Sequence, residues 1–149
     1  MRVVLEIEKG PDRQERAYVL ERNGYRVVGR AGDAEDTMQI LPNTQLALEP
    51  EDLARIEEHL ARRPLSAPLP DLNARLGSFR RAKDILLGDE KISRAHAMFF
   101  LDADGPSVVD LGSTNGTYVN GERATDADLF DGDLVNIGAT RFVVHFLKD

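Results

Sequence analysis

The residues best equipped for chemistry lie in two polar loops, Ser93-Arg94-Ala95-His96 and Gly112-Ser113-Thr114-Asn115-Gly116-Thr117. They offer hydroxyls, one amide and one guanidinium. That set suits a bound anion with several acceptor oxygens, such as a phosphate group. Between the loops lie two short apolar runs, residues 97–101 and 107–111, split by Asp104-Gly105-Pro106. A strand, a turn and a second strand return the chain to the end of the sheet where it began. One end of a sheet is therefore expected to present Ser93, Arg94, Ser113, Thr114 and Asn115 together.

The rest of the chain supplies strands to carry those loops. Residues 1–8 alternate, with Val3, Leu5 and Ile7 on one face, which is strand periodicity. Lys9-Gly10-Pro11-Asp12 reads as a turn, and residues 16–21 as a second strand. Asn23-Gly24 is a hairpin signal, because both residues tolerate positive φ. Residues 25–30 form a third strand ending in Gly29-Arg30. Residues 84–87, 134–137 and 141–147 are further strands, the last with Phe142, Val144 and Phe146 on one face. Many short strands with Gly-rich turns predict an all-β sandwich.

One segment breaks that pattern. Asp84 follows Arg30 by 54 positions. Within this gap, residues 50–63 read as a helix. Pro50 suits its first position, and Glu51 and Asp52 complement the N-terminal dipole. Leu53, Ile56 and Leu60 form an apolar stripe at helical spacing. Glu51–Arg55 and Glu58–Arg62 are i,i+4 pairs of favourable order. Pro64 stops the helix, and residues 64–70 read as a Pro-rich extended connector. A helix this short is marginal without packing, so the stripe is expected to lie on the sandwich.

Composition narrows the function. The chain has 149 residues and no cysteine, 42% hydrophobic and 30% charged residues, which fits one soluble domain. The absence of cysteine excludes disulfide and thiol chemistry and fits a cytoplasmic setting. No apolar run approaches twenty residues and no secretion signal is evident, so no membrane association is expected. The net charge of −7 argues against nucleic acid as a partner. Residues 84–149 hold 12 acidic and 5 basic residues, against 14 of each in residues 1–83. An anion site in so acidic a chain needs local cations, and Arg30 and Arg94 can supply them.

The sequence resembles the forkhead-associated (FHA) domain family. The family pattern is Gly-Arg, Ser-x-x-His, Thr-Asn-Gly and a later Asn-Gly. This chain carries Gly29-Arg30, Ser93-Arg94-Ala95-His96, Thr114-Asn115-Gly116 and Asn120-Gly121 in that order. The resemblance covers residues 1–42 and 84–149. Residues 43–83 depart from it as an insertion holding the helix and the connector. It implies a single FHA-like domain over residues 1–149, a twisted two-sheet β-sandwich with recognition loops at one end. It also implies a non-catalytic adaptor that binds phosphothreonine-containing segments of partner proteins, with a Ser/Thr kinase upstream. No cofactor or metal is implied. The chain starts within the domain, so no long N-terminal tail is expected to carry a regulatory phosphosite.

The resemblance also assigns roles. Arg30 and Ser93 contact the phosphate, and Arg94 stands where a further contact is common. Thr114 lies beside the phosphorylated residue, and Asn115 holds the peptide backbone. Gly29, His96, Gly116 and Asn120 support the loops, His96 through hydrogen bonds from inside. In isolation Arg30 would read as a solvated strand end; the family pattern reverses that. Arg80 and Arg81, just before the strand at Asp84, are alternative phosphate contacts.

Other readings compete with this one. Ser93, His96 and Asp110 are the types of a serine hydrolase triad, but no Gly-x-Ser-x-Gly elbow is present. His59, His96 and His145 lie on unrelated elements without metal-ligand spacing. Asn115-Gly116-Thr117 matches a glycosylation sequon, which means little without a secretion signal. The serious alternative is an interaction scaffold with the same fold and no dependence on phosphate, because the insertion enters directly after Arg30.

Overall fold

The computed structural model describes residues 2–11, 17–31, 45–63 and 79–147. Two sheets face each other. The first runs in the order β2 (Ala17–Leu20), β1 (Arg2–Lys9), β12 (Thr140–Leu147), β11 (Leu134–Ile137), β8 (Thr117–Val119), β9 (Glu122–Arg123). The second runs β10 (Asp126–Asp128), β7 (Gly105–Asp110), β6 (Ala97–Asp102), β3 (Gly24–Arg30), β4 (Arg80–Arg81). The short β5 (Ile85–Leu87) also pairs with β3, and β4 and β5 are both parallel to it. The all-β sandwich expected from the alternating strands is the observed fold.

The core between the sheets follows the period-two pattern. Val3, Leu5 and Ile7 of β1 point inward with Phe142 and Val144 of β12, all essentially without exposure. Phe99 of β6 meets Phe142 edge-on at 5.5 Å between ring centres, one of the favoured aromatic geometries.

At Asn23-Gly24 the structure differs from the hairpin expected there. The turn forms, with Asn23 at φ 59° and the Gly24 N–H donating to the Glu21 carbonyl at 2.9 Å. The strands it joins do not pair. β2 bonds β1 in the first sheet, whereas β3 bonds β6 in the second. A turn signal fixes the local reversal, and burial decides which sheet each strand joins.

The single helix of the described residues is α1 (Pro50–Ala61). Pro50 opens it, and Asp52 reaches back to accept the Glu49 N–H at 2.9 Å. Ile56 and Leu60 are fully buried on the outer face of the second sheet, among Val27, Met98, Phe100 and Val109, with Leu53 half-buried beside them. Full burial of each such side chain contributes roughly 1.5–3 kcal/mol. The stripe therefore packs on the sandwich, as its marginal length requires. It also explains β6, whose every residue is buried: the second sheet is covered on both faces, by the first sheet and by α1.

Polar contacts fix α1 further. Glu58 and Arg62 pair at 3.2 Å as the spacing predicts, while Arg55 pairs with Asp52 at 3.9 Å rather than with Glu51. His59 bonds Asp126 at 2.9 Å and the Ser107 hydroxyl at 3.0 Å. Arg63, just past the helix, donates to both oxygens of Asp102, at 3.1 and 2.9 Å, and also pairs with Asp128. Burial alone would lower the Arg63 pKa, but the Asp102 and Asp128 carboxylates raise it above its ordinary value. The expected Pro-rich connector over residues 64–70 lies outside the described residues.

Candidate functional site

β3, β6 and β7 bring three loops to one end of the second sheet. β3 ends at Arg30, β6 begins at Ala97 after the Ser93 loop, and β7 ends at Asp110 before the 112–116 loop. Antiparallel pairing of β3 with β6 and of β6 with β7 fixes this arrangement. Arg30 and Ser93 stand 63 positions apart in sequence, yet the Arg30 N–H donates to the Ser93 carbonyl at 3.1 Å. Gly29 permits the approach. A Cβ there would lie 2.1 Å from the Arg94 carbonyl oxygen and 2.5 Å from Leu46 Cδ1, so no other residue fits without displacing backbone.

The side chains at this end divide by exposure. Arg30, Arg94, Thr114 and Asn115 are exposed and Ser93 is half-buried. The Ser93 hydroxyl accepts the Thr114 N–H at 3.1 Å, which leaves its own O–H to donate to a ligand oxygen. Asn115 donates its side-chain N–H to the Lys91 carbonyl at 2.7 Å and so ties the 112–116 loop to the Ser93 loop. Ser113 does not join the exposed cluster as expected. It is buried, donates to Asp110 at 2.5 Å and accepts the Gly116 N–H at 2.9 Å. Its hydroxyl shapes the loop from within.

His96 is fully buried beneath both loops. Its Nδ1 accepts the Ser93 N–H at 3.1 Å, and its Nε2 lies 2.8 Å from the Gly116 carbonyl. This pattern requires the neutral ring with the proton on Nε2. Burial pushes its pKa below the ordinary histidine value, against the pull of the Gly116 carbonyl. Asn120 sits at φ 51° in the turn between β8 and β9, accepting the Leu134 N–H at 3.0 Å and donating to Asp133 at 3.1 Å.

Two aspartates organise the loops, a part the sequence reading did not give them. Asp110 accepts the N–H groups of Gly112 and Ser113, at 3.0 and 3.1 Å, and the Thr117 hydroxyl at 2.8 Å. The buried Asp89 accepts the Lys91 N–H at 3.0 Å, the Ala139 N–H at 2.8 Å and the Thr140 hydroxyl at 2.8 Å. An aspartate two residues before a backbone N–H is the local signal for such a turn.

These contacts also dispose of a Ser93-His96-Asp110 relay. His96 meets the backbone N–H of Ser93, not its hydroxyl, and its other nitrogen meets a carbonyl rather than Asp110. The backbones of Arg80 and Arg81 pair with Gly24 and Tyr25 at the start of β3. Six residues of strand, roughly 20 Å, separate Gly24 from Arg30. Arg81 is engaged there by Asp84, at 3.1 and 3.0 Å, and by the Leu46 carbonyl at 2.8 Å.

A two-sheet sandwich whose end loops carry Gly-Arg, Ser-x-x-His and Thr-Asn-Gly is similar in fold to FHA domains. The sequence comparison agrees: residues 75–138 match the model of the FHA domain. Over 60 residues it is 52% identical to the glycogen accumulation regulator GarA of Mycobacterium tuberculosis, covering 40% of this chain and 37% of that protein. It is 48% identical over 60 residues to the oxoglutarate dehydrogenase inhibitor of Corynebacterium jeikeium, covering 40% of this chain and 42% of that one. The matched stretch thus spans well under half the length of these relatives. Among solved structures, an FHA domain studied for phosphothreonine-dependent interactions superposes with a TM-score of 0.55 at 23% identity, over 99% of both chains. At that identity the likeness is one of fold.

Proposed function

We propose that the chain is a non-catalytic adaptor that captures phosphothreonine-containing segments of partner proteins, with a Ser/Thr kinase upstream as writer of the mark. The observation that carries this reading is the junction of Arg30 with the Ser93 loop. A 3.1 Å backbone bond joins the strand end that carries the exposed Arg30 to the Ser93 loop, whose hydroxyl accepts the Thr114 N–H and keeps its own proton to donate. A phosphomonoester carries close to two negative charges and strong acceptor oxygens, and arginine meets it with a planar fork of donors. Arg94 adds a second exposed cation, Thr114 faces the phosphorylated residue, and Asn115 holds the peptide backbone. Gly29, His96, Gly116 and Asn120 keep the loops in place. Relatives named as a regulator and as an enzyme inhibitor support an output by binding rather than turnover. No cofactor, metal, nucleic acid or membrane enters this reading, and its setting is the cytoplasm. We read residues 43–83 as an insertion into the single domain.

A phosphate-independent scaffold is the second reading, favoured by the approach of Leu46 to Gly29 at the edge of the site. Phosphatase treatment separates the two. Phosphothreonine peptides should be captured before treatment and lost after it, and the phosphate should stay intact on the bound peptide. Capture that survives phosphatase would establish the scaffold. Phosphate release abolished by Ser93→Ala would establish a hydrolase.

A further inference from the structure

Two more guanidinium groups flank the 112–116 loop. A Cβ built on Gly112 would lie 2.7 Å from Cζ and from one terminal nitrogen of Arg55, and 2.9 Å from the other nitrogen. Near-equal distances mean that the guanidinium lies with its plane against the loop. A Cβ on Gly116 would lie 2.9 Å from Nε of Arg123 and 3.2 Å from its Cζ. Both glycines hold positive φ, +74° and +85°. The loop that carries Thr114 and Asn115 thus has an arginine against each end, Arg55 from α1 at Gly112 and Arg123 from β9 at Gly116.

Neither arginine is neutralised where it stands. The Arg55 side chain is 44% exposed, and its ion pair with Asp52 is long, at 3.9 Å. The other carboxylates lining the cleft beside it, Glu58, Asp110 and Asp126, already have partners. Glu58 and Asp126 pair with Arg62 at 3.2 and 3.1 Å, and Asp110 accepts loop N–H groups. Arg123 is exposed. A guanidinium whose face is taken up by backbone keeps its N–H edge for a carboxylate in the same plane. On a chain of net charge −7, this end exposes Arg30, Arg94, Arg55 and Arg123.

We infer that Arg55 and Arg123 are specificity residues that select phosphothreonine segments carrying acidic residues beside the phosphothreonine. This rests on the proposed phosphothreonine reading and adds the chemistry of the flanking sequence. It also gives the insertion a part in recognition, since Arg55 comes from α1.

The test is a titration with three phosphothreonine peptides alike except for neutral, acidic or basic flanks. The proteins are wild type, Arg55→Gln, Arg123→Gln and the double variant, each checked for an unchanged melting temperature. Wild type should bind the acidic peptide tighter than the neutral one by about two- to fivefold per arginine, the scale of an exposed ion pair. The basic peptide should be weakest. Each variant should lose its share of the acidic gain and keep wild-type affinity for the neutral peptide. Raising the salt to roughly 0.5 M should shrink the gain through screening. Equal wild-type affinity for neutral and acidic peptides would overturn the inference alone. So would variants that weaken the neutral peptide as much as the acidic one, since the arginines would then only shape the loop. Failure to bind any of the three peptides would overturn the phosphothreonine reading itself, and the inference with it.

Discussion

Arg63 and Arg30 stand in regions built on opposite plans. Arg63 fastens the far end of α1: its side chain is 5% exposed, and it grips the equally buried Asp102 with two donors. Arg30 ends β3 exposed to solvent, its backbone N–H donated to the Ser93 carbonyl. Around Arg63 the carboxylates converge on the cation. In the loops at the Arg30 end, Asp89 and Asp110 are occupied by loop N–H and hydroxyl groups. The difference teaches what each charge is for. A cation matched within the fold holds the fold, and the exposed Arg30 is the cation that we propose meets the ligand.

The sharpest way to break this contrast is to remove the buried cation. Arg63→Met leaves Asp102 facing an apolar side chain. Deleting one partner of a buried ion pair costs about 3–5 kcal/mol, and denaturant melts should show a loss of that order. Arg63→Met with Asp102→Leu should recover much of it, because replacing both partners by apolar groups is far milder. An unchanged melt for Arg63→Met would mean that α1 is held by Ile56 and Leu60 alone.

A smaller loss is expected beneath the loops. His96→Ala removes an acceptor from the Ser93 N–H and a donor from the Gly116 carbonyl. Leaving a buried group unpaired costs about 1–3 kcal/mol. Asn115→Ala, at an exposed residue, should leave the melt nearly unchanged and weaken peptide binding instead. Melting and titration that showed the reverse pattern would contradict both roles.

The smallest effect is one of pH. Burial lowers the pKa of both His59 and His96. The unfolded chain, with histidines near the ordinary value of about 6.5, then binds more protons than the native one. Stability should be full above pH 6.5 and fall as the pH drops below it toward the folded-state values. Melts from pH 7.5 to 5.5 check this, and His59→Gln should flatten the decline. A melting temperature that rises on acidification would show that Asp126 and Gly116 hold the two rings charged.

The contrast between the two regions was only partly legible in the sequence. Strand periodicity exposed the core, because Val3, Leu5 and Ile7 alternate with residues that face solvent. The helix showed through Pro50, its acidic first turn and the Ile56–Leu60 spacing. The site motifs are local, so Ser93, His96, Thr114 and Asn115 could be named in place. What escaped depends on residues distant in the chain. Nothing near Arg63 announces Asp102, 39 positions away. Ser113 looked like a ligand group, but Asp110 turns its hydroxyl inward. Arg81 is a rival to Arg30 by sequence, and nothing near it in the chain shows that the Leu46 carbonyl, 35 positions away, takes up its guanidinium with Asp84. The Asn23-Gly24 turn was readable, but not the change of sheet that it makes.

The central claim, that Arg30 is reserved for phosphate, is tested most directly by one titration. Wild type and Arg30→Ala are each titrated with a phosphothreonine peptide and with its unphosphorylated twin. Hydrogen bonds to charged groups are worth about 1.5–3 kcal/mol each, so loss of a two-donor contact should weaken phosphopeptide binding by roughly a hundredfold or more. The melting temperature should not move, since Arg30 is exposed. The unphosphorylated peptide should bind neither protein appreciably. Equal affinity of wild type and Arg30→Ala for the phosphopeptide, or equal affinity of wild type for the two peptides, would contradict the account.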